Sequence, residues 1–207
     1  MKYLKVDDDF YEKLSFYAVF IPIIEVNGKD HILFEKRSKL VRQPGEVSFP
    51  GGGLEEGENF KDAAIRETME ELLLDEDDIE YLGYSSTILT SSNSYIKSFY
   101  GRINKNFDEI KYNKEVETIF TVDIDFLKSN PPVTYVCPYR LNFPQGFPFE
   151  KIPNGIDYKF VAGVSELSFY DTEPVIWGLT ARLLKRFIES WCEDEKWYFT
   201  KNKRLCQ

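Results

Sequence analysis

Residues 66–71, Arg-Glu-Thr-Met-Glu-Glu, bring three carboxylates and a guanidinium into one short stretch. At about 100° per residue, Glu67 and Glu71 share one helical face, and Glu70 borders it. Like charges at such spacings destabilise a helix. A Mg2+ or Mn2+ ion turns that penalty into a binding site, because hard cations take oxygen ligands. A solvated acidic face is the plainer alternative wherever a glutamate cluster stands alone.

This cluster has company. Pro50-Gly51-Gly52-Gly53 lies just upstream, joined through Leu54-Glu55-Glu56-Gly57-Glu58. Glycines there let backbone carbonyls and amides approach a metal or phosphate closely. The net charge of −9 argues against broad nucleic-acid binding. Any anionic substrate of an acidic cluster needs a metal ion between the two negative charges.

The elements that must position these groups are readable in outline. Residues 15–26 and 31–37 are rich in β-branched and aromatic residues and flank Asn27-Gly28, a hairpin turn. His31, the lone histidine, rules out a multi-histidine site and reads as structural. Residues 59–73 read as a helix capped by Asn59, with Asp62 three positions later and a core-facing stripe of Phe60, Ala64, Thr68 and Leu72. The acidic run Asp75–Asp78 reads as a solvated loop. Residues 79–90, 94–103 and 116–122 read as strands, with a short helix near Asp125–Lys128. Six of the ten prolines fall between Pro131 and Pro153, so regular structure there should be interrupted, as in a structural wrap or a substrate-facing loop. A last helix, about 174–191, follows Thr172 and Pro174, with Ile176, Leu179, Leu183 and Phe187 as its apolar stripe. At 207 residues with 43% hydrophobic content, the chain fits one α+β or α/β domain over 1–207. No apolar run approaches the roughly 20 residues that span a bilayer. The charged start, Met1 to Phe10, lacks a secretory core, and Cys137, Cys192 and Cys206 show no metal or redox spacing. A cytoplasmic protein with reduced thiols and no membrane partner is expected.

Gly52, five residues, Glu58, seven residues, Arg66-Glu67, two residues and Glu70-Glu71 together resemble the Nudix box, here residues 51–74. Thr68 stands where an aliphatic residue is usual, and Leu73 where glycine is usual. The resemblance implies an α/β/α sandwich around a central mixed β-sheet and a Mg2+- or Mn2+-dependent hydrolase of a nucleoside-diphosphate-linked small molecule. It implies metal ligands at Glu67, Glu71 and Glu70, with Glu67 alternatively the general base. Arg66 would orient the carboxylates, Glu58 would support it or bind a further ion, and Gly51 or Gly52 would lend a main-chain carbonyl. Glu115 is the candidate acid from outside the box; a surface acid at a strand entrance is its plainer reading. A homodimer is left open.

Upstream, Leu33-Phe34-Glu35-Lys36-Arg37-Ser38 and Gly45-Glu46-Val47-Ser48-Phe49-Pro50-Gly51-Gly52 resemble the segment that marks the coenzyme A pyrophosphatase branch, with Phe34-Glu35 where Leu-Thr is usual. Ile176–Ala181 is similar to that branch's final helix. This implies cleavage of coenzyme A or its derivatives to adenosine 3′,5′-bisphosphate and 4′-phosphopantetheine or its acyl form. Arg37, Lys39 and Arg42 form a basic cluster suited to the 3′-phosphate. Phe143, Phe147, Tyr158 and Phe160 are either core or the lining of an apolar pocket. ADP-ribose, NADH and dinucleoside polyphosphates are the alternative substrates, and a non-catalytic nucleotide sensor is the alternative class.

Overall fold

A computed structural model describes residues 14–139, 141–160 and 163–203, with side chains as far as residue 191. The charged start, Cys206 and the side chain of Cys192 lie outside the described residues. Strand β1 (Ser15–Val26) turns at Asn27 and Gly28, with φ of 53° and 76°, and returns as β2 (Lys29–Arg37). Two consecutive positive φ values are what a two-residue hairpin requires. Then come β3 (Val47–Ser48), β4 (Gly51–Gly53), α1 (Phe60–Leu72), β5 (Ile79–Leu89), β6 (Ser94–Ile103), β7 (Val116–Asp123) and α2 (Ile124–Ser129). The chain ends with β8 (Val133–Pro138), β9 (Val164–Tyr170), β10 (Ile176–Trp177) and α3 (Gly178–Lys203). The acidic run forms one surface 3-10 turn, Glu76–Asp78, whose Asp78 pairs with Lys105 at 3.0 Å.

The main sheet is mixed. β1 runs parallel to β6 and antiparallel to β2, and it also receives β4 along its first half. β2 pairs with β7 and β3, and β5 closes the other edge against β6. Side chains of β1 alternate between two cores, as a doubly covered strand must. Ala18, Phe20 and Ile24 face α1, while Ile21 and Ile23 face α2 and α3. The same alternation sends Ile32 and Phe34 of β2 to the α3 side and Leu33 to the α1 side. Each fully buried aliphatic or aromatic side chain here contributes roughly 1.5–3 kcal/mol. The expected sandwich of helices on both faces of a mixed sheet is therefore present.

Helix α1 starts where the cap was read. The Asn59 side chain accepts the Asp62 N–H at 3.0 Å, and Ala64, Thr68 and Leu72 are wholly buried. Thr68 is tolerated in that stripe because its hydroxyl donates to the Ala64 carbonyl at 2.7 Å. Leu73 takes the left-handed conformation, φ 49° and ψ 47°, that glycine usually supplies at this point. Such a conformation costs a non-glycine residue about 1–2 kcal/mol. The buried Leu74 beyond it anchors the exit.

Regular structure in the proline-rich segment is interrupted as expected: among its described residues one strand, β8, stops at Pro138, and it pairs with β9 at the edge of a second, three-stranded sheet. An edge strand tolerates proline because one side of its ladder needs no donor. The last helix begins at Gly178 and runs to Lys203 rather than over 174–191. Ile176 and Trp177 instead pair with Tyr170 and Phe169 of β9, and the Thr172 hydroxyl holds the preceding turn through the Pro174 carbonyl and the Ile176 N–H. Within α3, Leu183, Leu184 and Phe187 are buried, whereas Leu179, read as part of the same stripe, is exposed. Phe143, Phe147, Phe149 and Phe160 pack on one another with ring centroids 4.7–5.0 Å apart, a half-buried satellite cluster. No helix among the described residues is long and apolar enough to cross a membrane.

Candidate metal centre

The site is built where α1 crosses β4. Arg66, one turn and a half into the helix, is its hub. Its Nε and Nη2 donate to the two carboxylate oxygens of Glu58 at 2.9 and 3.0 Å, the fork geometry that makes arginine–carboxylate pairs strong. Nη1 donates to Glu67 Oε1 at 2.9 Å and lies 3.6 Å from Glu70 Oε2, and Nη2 also reaches the Gly53 carbonyl at 3.1 Å. Glu58 closes the loop back onto itself by accepting the Glu55 N–H at 3.0 Å. These donors hold the Glu58 carboxyl below its usual range, and Glu58 holds the Arg66 guanidinium firmly protonated.

One turn further, Glu71 points inward and is only 5% exposed. Its Oε2 accepts the Gly51 N–H at 2.9 Å. Burial pushes its carboxyl up to about 9, the nearby Glu35 charge adds to the rise, and the Gly51 N–H opposes it. Burial also raises Glu67, while the hydrogen bond and charge of Arg66 pull it back; Glu70 and Glu115 push it up further. Glu70 is largely in solvent, with its side chain 57% exposed. Close approach of backbone requires glycine at position 51, whereas Gly52 faces only a side chain. A Cβ on Gly51 would strike the backbone of Ala18 and Val19, and one on Gly52 would strike the Glu67 carboxylate.

The residues fit a hard divalent cation. Every side-chain donor is a carboxylate, the set suited to Mg2+ and Mn2+. Two of those carboxyls sit above their usual range, chiefly because burial penalises their charge and in part because other carboxylates crowd them. A buried oxygen, Glu35 Oε2, receives no N–H or hydroxyl donor. Among the described residues no three His, Cys, Asp or Glu side chains already form a metal cluster. Glu67 is drawn to Arg66 and Glu71 to the Gly51 amide, so the carboxylates are held near one another without converging.

The NUDIX domain family matches residues 15–128, more than half of the chain. The chain belongs to the Nudix family. Nudix hydrolase 3 of Caenorhabditis elegans is 31% identical over 134 residues, which cover 62% of this chain and 56% of that protein. Peroxisomal coenzyme A diphosphatase NUDT7 of Mus musculus is 31% identical over 121 residues, covering 58% of this chain and 51% of that protein. The chain thus spans about half the length of these curated relatives. Among solved structures, a C. elegans Ap4A hydrolase binary complex superposes with a TM-score of 0.47 at 21% identity, over 54% of this chain and 83% of that chain.

Of the residues read from the Nudix box, Arg66, Glu58, Glu67, Glu71 and Gly51 are brought together, with Glu70 at their solvent edge. Gly51 takes part through its N–H, and the main-chain carbonyl directed into the network is that of Gly53. Glu115 is drawn toward the site from outside the box. Asn113 binds the Glu70 and Glu71 carbonyls and accepts the Glu115 N–H at 2.7 Å, and the Glu115 carbonyl accepts the Ser38 N–H at 2.8 Å. Burial is the main reason that Glu35 and Glu67 stand above their usual range, and the Glu115 charge adds to it. The basic cluster is only partly free. Arg37 Nε donates to the Arg42 carbonyl at 2.9 Å and its Nη1 lies 3.7 Å from Glu35 Oε1, whereas Lys39 and Arg42 are exposed. His31 Nδ1 and the Thr121 hydroxyl are 3.2 Å apart across β2 and β7, in keeping with a structural role.

Glu35 was not singled out from the sequence as a site residue. It is 1% exposed, on the α1 side of β2, beside Glu71. The signal for it was a carboxylate directly after the apolar run Ile32-Leu33-Phe34, at the end of the strand's buried stretch.

Proposed function

We propose that this protein is a divalent-metal-dependent hydrolase of a diphosphate bond in nucleotide derivatives, with coenzyme A or its derivatives as substrate. One observation carries the reading: Arg66 ties Glu58, Glu67 and the Gly53 carbonyl into one network, one helical turn from a buried Glu71 held by the Gly51 amide. Glu67, Glu71 and Glu70 are the residues to hold Mg2+ or Mn2+, with Glu58 and Glu115 in support. The bound ion would neutralise diphosphate oxygens and lower the pKa of a water. Arg66 acts by position: it fixes Glu67 Oε1, which leaves Oε2 to take a proton from the attacking water. Glu70, half in solvent, is the second candidate for that proton. Attack on phosphorus breaks one P–O bond of the anhydride and yields two phosphate monoesters. With coenzyme A these are adenosine 3′,5′-bisphosphate and 4′-phosphopantetheine.

The coenzyme A assignment is supported by the similarity to the mouse diphosphatase and by Lys39 and Arg42, exposed beyond the end of β2. Arg37 joins Arg42 to the acidic centre through its backbone carbonyl and Glu35. We take residues 1–207 as one Nudix unit, because α3 packs into the same core as β1, β2 and α2. A cytoplasmic location is part of the proposal; Cys137 is a free thiol. The test compares coenzyme A with its 3′-dephospho form. Loss of one charge-assisted contact should lower kcat/KM by about tenfold or more, and Lys39→Ala with Arg42→Ala should erase the difference. Equal kcat/KM for the two substrates in the unmodified protein would remove coenzyme A as the preferred substrate and favour ADP-ribose, NADH or a dinucleoside polyphosphate.

A further inference from the structure

Strand β2 places a carboxylate beneath the Nudix helix that the box does not provide. Glu35 faces the α1 side of the sheet, following the alternation that sends Leu33 there and Phe34 to the opposite core. Its neighbours account for one carboxylate oxygen. The Ser48 hydroxyl donates to Oε1 at 2.8 Å across the β2–β3 pair, and the Arg37 guanidinium stands 3.7 Å from the same atom. Oε2 is buried and receives no N–H or hydroxyl donor, so the neighbouring Glu71 carboxyl is the one group that can pair with a Glu35 oxygen from that side. The Glu71 carboxyl lies beside it and offers a donor only when it carries a proton.

Two carboxyls buried side by side, with only a shared proton between them, are among the costlier arrangements in a protein interior. The protein's own hydroxyl and guanidinium partners both fall on Oε1, and nothing but the Glu71 carboxyl answers Oε2. A divalent cation accounts for both oddities at once. It supplies a partner for Oε2 and offsets the repulsion between Glu35 and Glu71. The Ser48 and Arg37 contacts then have a purpose, since they fix Oε1 and so aim Oε2.

Resting on the reading of this site as a divalent-metal centre, we propose that Glu35 is an additional metal ligand, offering Oε2 from the sheet side while Glu71 offers its carboxylate from the helix. The centre would thus be braced by β2 as well as by α1.

Metal binding without substrate tests this, with titration calorimetry using MnCl2 on the substrate-free protein. Glu35→Gln keeps the volume and can still accept from Ser48; Glu35→Thr removes the carboxylate and keeps a residue suited to a strand. Both variants, and Glu71→Gln as the reference, are expected to bind Mn2+ at least about tenfold more weakly than the unmodified protein. If Glu71→Gln weakens binding and both Glu35 variants stay within about twofold of the unmodified protein, Glu35 is not a ligand and the metal-centre reading stands. If the unmodified protein takes up no Mn2+, that reading falls and the proposal with it. Should the Glu35 variants lose their fold by circular dichroism, a crystal of the unmodified protein with Mn2+ decides. Anomalous density within about 2.5 Å of a Glu35 oxygen supports the assignment, and a separation beyond about 4 Å overturns it.

Discussion

Glu71→Gln is expected to lower metal-dependent turnover by about a hundredfold or more while making the metal-free protein more stable. The first effect follows from removing a carboxylate ligand with almost no change in volume. The second follows from burial. Glu71 titrates near 4.5 in the unfolded chain and is pushed up to about 9 in the fold, by burial first and by Glu35 second. A raised carboxyl contributes stability that is present below pH 4.5 and lost as pH rises through 9. The metal-free protein should therefore weaken across that window, and the glutamine variant should not share the slope. The substituted amide also keeps an acceptor for the Gly51 N–H and gains a donor toward Glu35. A stabilisation of roughly 1–3 kcal/mol near pH 8 is expected, read by urea unfolding in EDTA. Saturating Mg2+ should raise the stability of the unmodified protein and leave the variant nearly unchanged. A variant less stable than its parent at pH 8 would show that the buried carboxylate is not the liability described.

Arg66→Lys should be nearly as damaging, though it preserves the charge. Lysine cannot reproduce the fork that engages both oxygens of Glu58, nor reach Glu67 and the Gly53 carbonyl at the same time. The guanidinium is 23% exposed, so the loss of stability should be moderate, about 1–3 kcal/mol. The more informative readout is kinetic. A positioning role predicts a fall in kcat of about 10- to 100-fold with little change in KM, because Glu67 would no longer be held by its Oε1. A double-mutant cycle with Glu58→Gln should show coupling above about 1 kcal/mol, since the two residues form one bidentate pair. Unchanged kcat with lowered stability alone would reduce Arg66 to a structural brace.

What could be read from the sequence was local. The Asn59 cap, the stripe of Ala64, Thr68 and Leu72, and the Asn27-Gly28 turn each depend on residues within a few positions. The spacing from Gly52 through Glu71 carried the site because its parts lie on one loop and one helix. Glu35 illustrates the limit. Alternation in β2 assigns its face, but its neighbours Ser48 and Glu71 arrive through strand pairings and helix packing that local pattern does not specify. Strand β8 was hidden for a related reason: proline is tolerated at a sheet edge, and being at an edge is a property of the assembled sheet. The 3′-phosphate cluster was legible as three basic residues, yet only the fold separates the engaged Arg37 from the exposed Lys39 and Arg42.

The central claim is metal-dependent cleavage of a diphosphate bond by the centre around Arg66, Glu67 and Glu71. It is tested most directly by incubating the unmodified protein with Mn2+ or Mg2+ and a panel of coenzyme A, ADP-ribose, NADH and dinucleoside polyphosphates, in water enriched in 18O, with products identified by mass. Two phosphate monoesters from coenzyme A, one of them carrying a single 18O, with no product in EDTA, is the predicted result. Unchanged substrates across the whole panel after long incubation with either metal would contradict the account and leave a nucleotide-binding module in place of an enzyme.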